Sequence, residues 1–66
     1  MNIGEIIKEL RIERGMTQKQ LAELLFTSQD TISLWECGKS FPDILMVVKL
    51  TKIFHVSADY LLCIEN

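Results

Sequence analysis

Catalytic or metal chemistry in this 66-residue chain would have to come from one histidine, His55, two cysteines, Cys37 and Cys63, and nine carboxylates. Neither cysteine lies at a spacing that pairs it with His55 as a nucleophile or ligand set, and no paired-cysteine pattern marks a zinc site. Acidic residues such as Glu5, Glu9 and Glu13 fall along exposed helix faces, with no second catalytic group and no glycine-rich phosphate loop beside them. The expectation is therefore no enzyme, no catalytic residue, no metal and no cofactor. His55 reads as a solvent-facing residue at a helix end.

The remaining chemistry is recognition by hydrogen bonds, and its candidate is the segment from Ser28 to Cys37. At 100° per residue, with Gln29 at zero, Ser33 falls near 40°, Cys37 near 80°, Asp30 near 100° and Leu34 near 140°. Ile32 and Trp35 lie at the centre of the opposite arc, so burying those two turns the first face outward. A short helix with small polar and amide side chains at its free N-terminal end suits a DNA major groove about 12 Å wide. Gln29 is the best-placed reader, because its amide carries a donor and an acceptor that match the N6 and N7 edge of adenine. An ordinary exposed glutamine is the alternative. Cys37 sits at the rim of this face, with nothing in the sequence to mark it as a redox switch.

The elements that must hold this face follow from periodicity and punctuation. Ile3, Ile6, Ile7 and Leu10 share one stripe of a helix from about Asn2 to Glu13. Gly15 stops it and Thr17 caps a second helix that starts near Gln18 and buries Leu21, Ala22 and Leu25. After a break at Phe26-Thr27, Ser28 caps a third helix over about Gln29–Cys37, which ends at Gly38. Pro42 or Asp43 opens a fourth helix reaching about Phe54, and Ser57 caps a last one ending near Cys63. Five helices and no strand make one module spanning 1–66.

The residues Leu10-Arg11, Thr17-Gln18, Leu21-Ala22, Ile32-Ser33, Trp35-Glu36, Gly38 and Pro42 resemble the lambdoid repressor and Cro family of helix-turn-helix proteins, also called the XRE family. The match runs from Ile3 to about Leu62. It implies an all-α, five-helix, lambda-repressor-like domain whose second helix lies across the DNA backbone while the third enters the groove. It also implies that Gln18 hydrogen-bonds a phosphate and that Ser28, Gln29, Asp30, Ser33 and Leu34 face DNA. Arg11 is expected to pair with Glu36 as a structural ion pair, and Lys39 and Ser40 to approach the phosphate backbone.

Three residues depart from that pattern. Phe26 stands where the family most often has glycine, so either the turn is remodelled or the ring covers nearby apolar surface. Asp30 can accept from cytosine N4 but repels phosphates, and Leu34 suits a thymine methyl. The net charge of −2 also weighs against nucleic acid, since lysine and arginine supply most non-specific DNA affinity.

Nearly half of the chain, 48%, is hydrophobic, which in so short a chain points to tight helix packing or a partner subunit. In the fourth helix, Ile44, Val47, Val48, Thr51 and Phe54 fill one face while Leu45, Met46, Leu50 and Ile53 gather on another. The surplus is expected to pack on the fifth helix or on a second copy, joined by Tyr60, Leu61, Leu62, Cys63 and Ile64. A homodimer through the C-terminal helices places two reading helices about 34–36 Å apart and implies a palindromic operator in double-stranded DNA. The longest apolar run, Ile44–Val48, is far short of the roughly 20 residues that span a bilayer, no leader opens the chain, and reduced thiols fit the cytoplasm.

The expected function is a sequence-specific transcriptional regulator, with repression by operator occupancy and no small-molecule ligand. The competing reading is a protein-interaction module on the same scaffold, such as an antitoxin-like partner that uses the apolar surface of the last two helices.

Overall fold

Each helix begins on a side chain that accepts a hydrogen bond from its own first turn. In the computed structural model, which describes residues 2–63, Asn2 caps α1 (Ile3–Glu13) by accepting from the Glu5 amide at 2.9 Å. Thr17 caps α2 (Gln18–Leu25): its hydroxyl accepts from the Gln20 amide at 3.0 Å, while its own N–H donates to Gln20 Oε1 at 2.8 Å. This reciprocal pair satisfies two amides that the helix cannot. Ser28, Asp43 and Ser57 do the same for α3 (Gln29–Glu36), α4 (Ile44–Phe54) and α5 (Ala58–Leu61). Each such cap contributes about 1 kcal/mol. The short helices α2 and α3 depend on theirs, because isolated helices of this length do not persist in water.

The first four helices end in one way, with a left-handed residue followed by an N–H that reaches five residues back. Met16 N–H donates to Arg11 O, Thr27 to Ala22 O, Lys39 to Leu34 O and Val56 to Thr51 O, at 2.9–3.2 Å. The left-handed residues are Gly15, Phe26, Gly38 and His55. Phe26 departs from both sequence expectations: it keeps the tight turn at φ +56°, and its ring is 90% exposed instead of covering a neighbour. The Lys49 ammonium stands over the ring, 5.9 Å from its centroid. The backbone here obeys the hydrogen bond from Thr27, and the side chain follows into solvent.

The core takes Ile6, Ile7 and Leu10 from α1, Leu21, Ala22 and Leu25 from α2, and Ile32 and Trp35 from α3. Val47, Leu50 and Phe54 of α4 and Leu61 of α5 complete it. α3 packs on α1 and α2, α2 also meets α4, and α5 closes the bundle against α1 and α4. The buried stripe of α4 draws from both faces expected of it, and leaves Ile44, Leu45 and Val48 exposed. Its centre lies between the two sets because α4 has one covered side, so the second set does not need its own partner helix. Ile64 lies outside the described residues. Among the described residues there is no strand, and no helix is long and apolar enough to cross a membrane.

One close approach fixes α1 against α3. A Cβ on Gly4 would stand 1.8 Å from the Trp35 carbonyl oxygen and 2.8 Å from the carbonyl carbon. Only a residue without a side chain lets the first turn of α1 reach the C-terminal turn of α3. Nothing in the helical periodicity signals this; a glycine placed in a first turn, where it weakens the helix, is the one sequence trace of it.

Candidate nucleic-acid interface

Burial of Ile32 and Trp35, at 0% and 3% exposure, decides which side of α3 is free. Gln29 and Asp30 are exposed, Ser33 is half-buried, and Leu34 is exposed despite being apolar. Ser28 is exposed too, with its hydroxyl engaged: it accepts from the Thr31 amide at 3.2 Å and shares a hydrogen bond with the Thr31 hydroxyl at 2.9 Å. The cap therefore fixes the α3 N-terminus and leaves the amide of Gln29 projecting from the first turn. Asp30 in that turn is favourable to the helix dipole. Cys37 caps the far end of α3 instead of belonging to it, and is exposed.

Behind the reading helix, Arg11 and Glu36 form a two-pronged pair. Arg11 Nε donates to Glu36 Oε2 at 2.8 Å and Nη2 donates to Oε1 at 3.1 Å. The third arm of the guanidinium, Nη1, donates to the Met16 carbonyl at 2.8 Å. The side chains are 11% and 4% exposed, so the pair is nearly dry. Planar, forked geometry is what arginine supplies and lysine does not. The pair ties the end of α1, the approach to α2 and the end of α3 into one unit.

Gln18 joins this unit. Its Nε2 donates to Glu36 Oε1 at 3.0 Å, and the residue is half-buried at the first position of α2. Lys39 is exposed and Ser40 half-buried; their backbone N–H groups fold back onto the Leu34 carbonyl at 2.9 and 3.4 Å, which holds the loop against the end of α3. The structure thus gathers Ser28, Gln29, Asp30, Ser33 and Leu34 along α3, and places Gln18 at the Arg11–Glu36 pair.

Sequence reasoning passed over Arg14. Its Nη2 donates to the Phe54 carbonyl at 2.6 Å and its guanidinium stands 5.4 Å from the Phe54 ring centroid, so it closes the C-terminus of α4. An arginine just past one helix gives no sequence signal of a helix end forty residues away. A depression of about 460 Å³ lined by Arg14, Gly15, Met16, Gln20, Glu23 and Leu24 involves none of the reading-face residues. Among the described residues no three of His, Cys, Asp and Glu come together as a metal site.

A capped pair of short helices joined by a tight turn, with the second exposing a polar face, defines a helix-turn-helix. The chain matches the helix-turn-helix domain family over residues 4–64 and belongs to it. It is 40% identical over 66 residues to the HTH-type transcriptional activator BcrR of Enterococcus faecalis, covering 100% of this chain and 32% of that protein. It is 39% identical over 62 residues to the HTH-type transcriptional regulator ImmR of Bacillus subtilis, covering 94% of this chain and 49% of that one. Among solved structures, it is similar to the P22 c2 repressor in complex with a synthetic operator, at a TM-score of 0.90 and 29% identity over 98% of both chains. The chain spans about a third to a half of the two curated relatives.

Proposed function

We propose that this chain is the DNA-reading domain of a transcriptional regulator, which inserts α3 into the major groove of a double-stranded operator. The observation that carries the reading is the exposed face of α3, held outward by buried Ile32 and Trp35, on a fold similar to a repressor bound to its operator. Gln29 reads a base edge, with Ser28, Asp30, Ser33 and Leu34 beside it. Gln18, Lys39 and Ser40 position the domain on the phosphate backbone.

Repression by operator occupancy is the mode we assign, on the likeness to the P22 c2 repressor over 98% of both chains. The exposed Ile44, Leu45 and Val48 of α4, with Tyr60 and Leu62 near α5, supply apolar surface for a homodimer. Two-fold symmetry then sets the reading helices about one DNA turn apart, on a palindrome. The site of action is the cytoplasm.

Selection of binding sites from random duplexes, followed by affinity against salt, tests this directly. An enriched palindrome bound with a negative salt slope is the expected result. No enriched sequence and no salt dependence would leave the protein-interaction reading, in which the same α4 surface meets a different protein.

A further inference from the structure

We infer that Arg11 and Glu36 are positioning residues for Gln18, holding its amide in the one orientation that presents it to a DNA phosphate. The inference rests on the DNA-reading role proposed above and assigns a binding task to a pair otherwise read as a tie between helices.

The geometry begins with what each group can do. A carboxylate paired with an arginine accepts hydrogen bonds and donates none. Glu36 Oε2 takes Arg11 Nε, and Oε1 takes both Arg11 Nη2 and Gln18 Nε2. Because Oε1 only accepts, the Gln18 amide is not free to turn over: its nitrogen must face Glu36 and its oxygen must face away. One N–H of the amide is consumed by Glu36, and the second is fixed in direction by the first. A phosphate oxygen needs a donor, so the surviving N–H is the group that counts. An unanchored glutamine would sample several rotamers and could offer either end of its amide, the acceptor oxygen as well as the donor nitrogen, to an anion.

Charge makes the arrangement workable. A bare carboxylate 3.0 Å from a phosphate ligand would repel the DNA backbone. Arg11 cancels it at 2.8 Å, and both side chains are almost fully withdrawn from water. Gln18 therefore borrows the rigidity of an ion pair without presenting its negative charge. Through the third arm of Arg11 on the Met16 carbonyl, the same guanidinium also fixes the chain two residues before Gln18.

The test is a double-mutant cycle on the 66-residue chain, with affinity measured for the duplex enriched by the wild-type protein. Glu36→Gln leaves one acceptor oxygen, which the Arg11 fork takes first, so Gln18 loses its anchor. It should weaken binding about fivefold or more when Gln18 is present, and by less than about twofold in the Gln18→Ala background. Equal losses in the two backgrounds overturn the inference, since a merely structural pair would act regardless of Gln18. Should Glu36→Gln fail to fold, the wild-type protein decides by side-chain amide NMR. The two Gln18 Nε2 protons should be well separated in shift and slow to exchange, unlike those of exposed Gln29; matching behaviour of the two amides overturns the inference. A wild-type protein that enriches no duplex refutes the DNA-reading role instead, and the NMR result still stands or falls separately.

Discussion

Replacing Gly4 with alanine sets two effects of opposite sign against each other. Helix propensity favours the change by about 1 kcal/mol, because alanine loses less backbone entropy than glycine in a helix. Packing opposes it. The new methyl would lie 1.8 Å from the Trp35 carbonyl oxygen, where carbon and oxygen stay at least about 3.3 Å apart. α1 would have to retreat by about 1.5 Å.

The neighbour has little freedom to yield. All three nearest atoms belong to the backbone of Trp35 and Glu36, and the Trp35 carbonyl is held by the Gly38 N–H at 3.1 Å. The retreat therefore falls on α1 and opens the core where Ile6, Ile7 and Leu10 meet Ile32 and Trp35. Overpacking of this kind costs about 3 kcal/mol at the upper end of its usual range. Net of propensity, Gly4→Ala should destabilise by about 2 kcal/mol, a large share of the roughly 3–10 kcal/mol expected for a domain of this length. Thermal melts should show Tm falling by about 8–16 °C. Trp35 is the only tryptophan, so its emission should shift to the red as α1 lifts away. An unchanged or higher Tm, with unaltered Trp35 emission, would refute the close approach of α1 to α3.

Phe26→Asn relieves a left-handed conformation that costs an ordinary residue about 1 kcal/mol and gives up the exposed Lys49 contact, worth about 0.5 kcal/mol. A Tm increase of about 2–4 °C is expected; a decrease would mean that the exposed ring stabilises the fold. Gln29→Ala should relax base preference at one position in each half-site by about 1–3 kcal/mol, and an unchanged selected motif would remove Gln29 as the reader. Lys39→Ala should weaken all duplexes about equally and make the salt slope shallower by about 1; loss confined to one sequence would contradict a phosphate role. With Lys39 and the exposed Lys19, which follows Gln18 in the first turn of α2, as the cations of each protomer in the proposed dimer, the wild-type slope of log affinity against log salt should be no steeper than about −4. Titration over a range of salt concentrations checks it, and a much steeper slope would point to other lysines on the backbone.

The helices were legible in the sequence because their starts are chemical. Asn2, Thr17, Ser28, Asp43 and Ser57 each carry the acceptor that a first turn requires, and apolar spacing marks the buried stripes of α1, α2 and α3. The outward face of α3 was legible for the same reason, since Ile32 and Trp35 leave one side to the polar residues. The stops were less so. Glycine announces a left-handed residue at Gly15 and Gly38, whereas Phe26 and His55 adopt the same backbone with side chains that disfavour it. Their conformation is imposed by the returning N–H groups of Thr27 and Val56, which local composition does not encode. Gly4 against Trp35, Arg14 on the Phe54 carbonyl and Gln18 on Glu36 join residues 31, 40 and 18 positions apart. Such contacts come from helix packing and leave no periodic trace.

The acidic net charge is the feature that most misleads when it is read as a total. Of seven basic residues, Arg11 is spent on Glu36, Arg14 on the Phe54 carbonyl, and Lys49 stands over Phe26. The cations left for phosphates are few, but so is the opposition, because Glu36 is neutralised in place and Asp30 is the one carboxylate within the exposed face of α3. On the DNA-reading role proposed above, such a domain would supplement Lys39 with neutral donors, among them the amide of Gln18 and the hydroxyl of Ser40. Neutral donors release no counterions, yet they bind only when correctly aimed. That makes orientation the quantity the fold would have to supply, and the Arg11, Glu36 and Gln18 cluster at the start of α2 is where it would be supplied to one such donor.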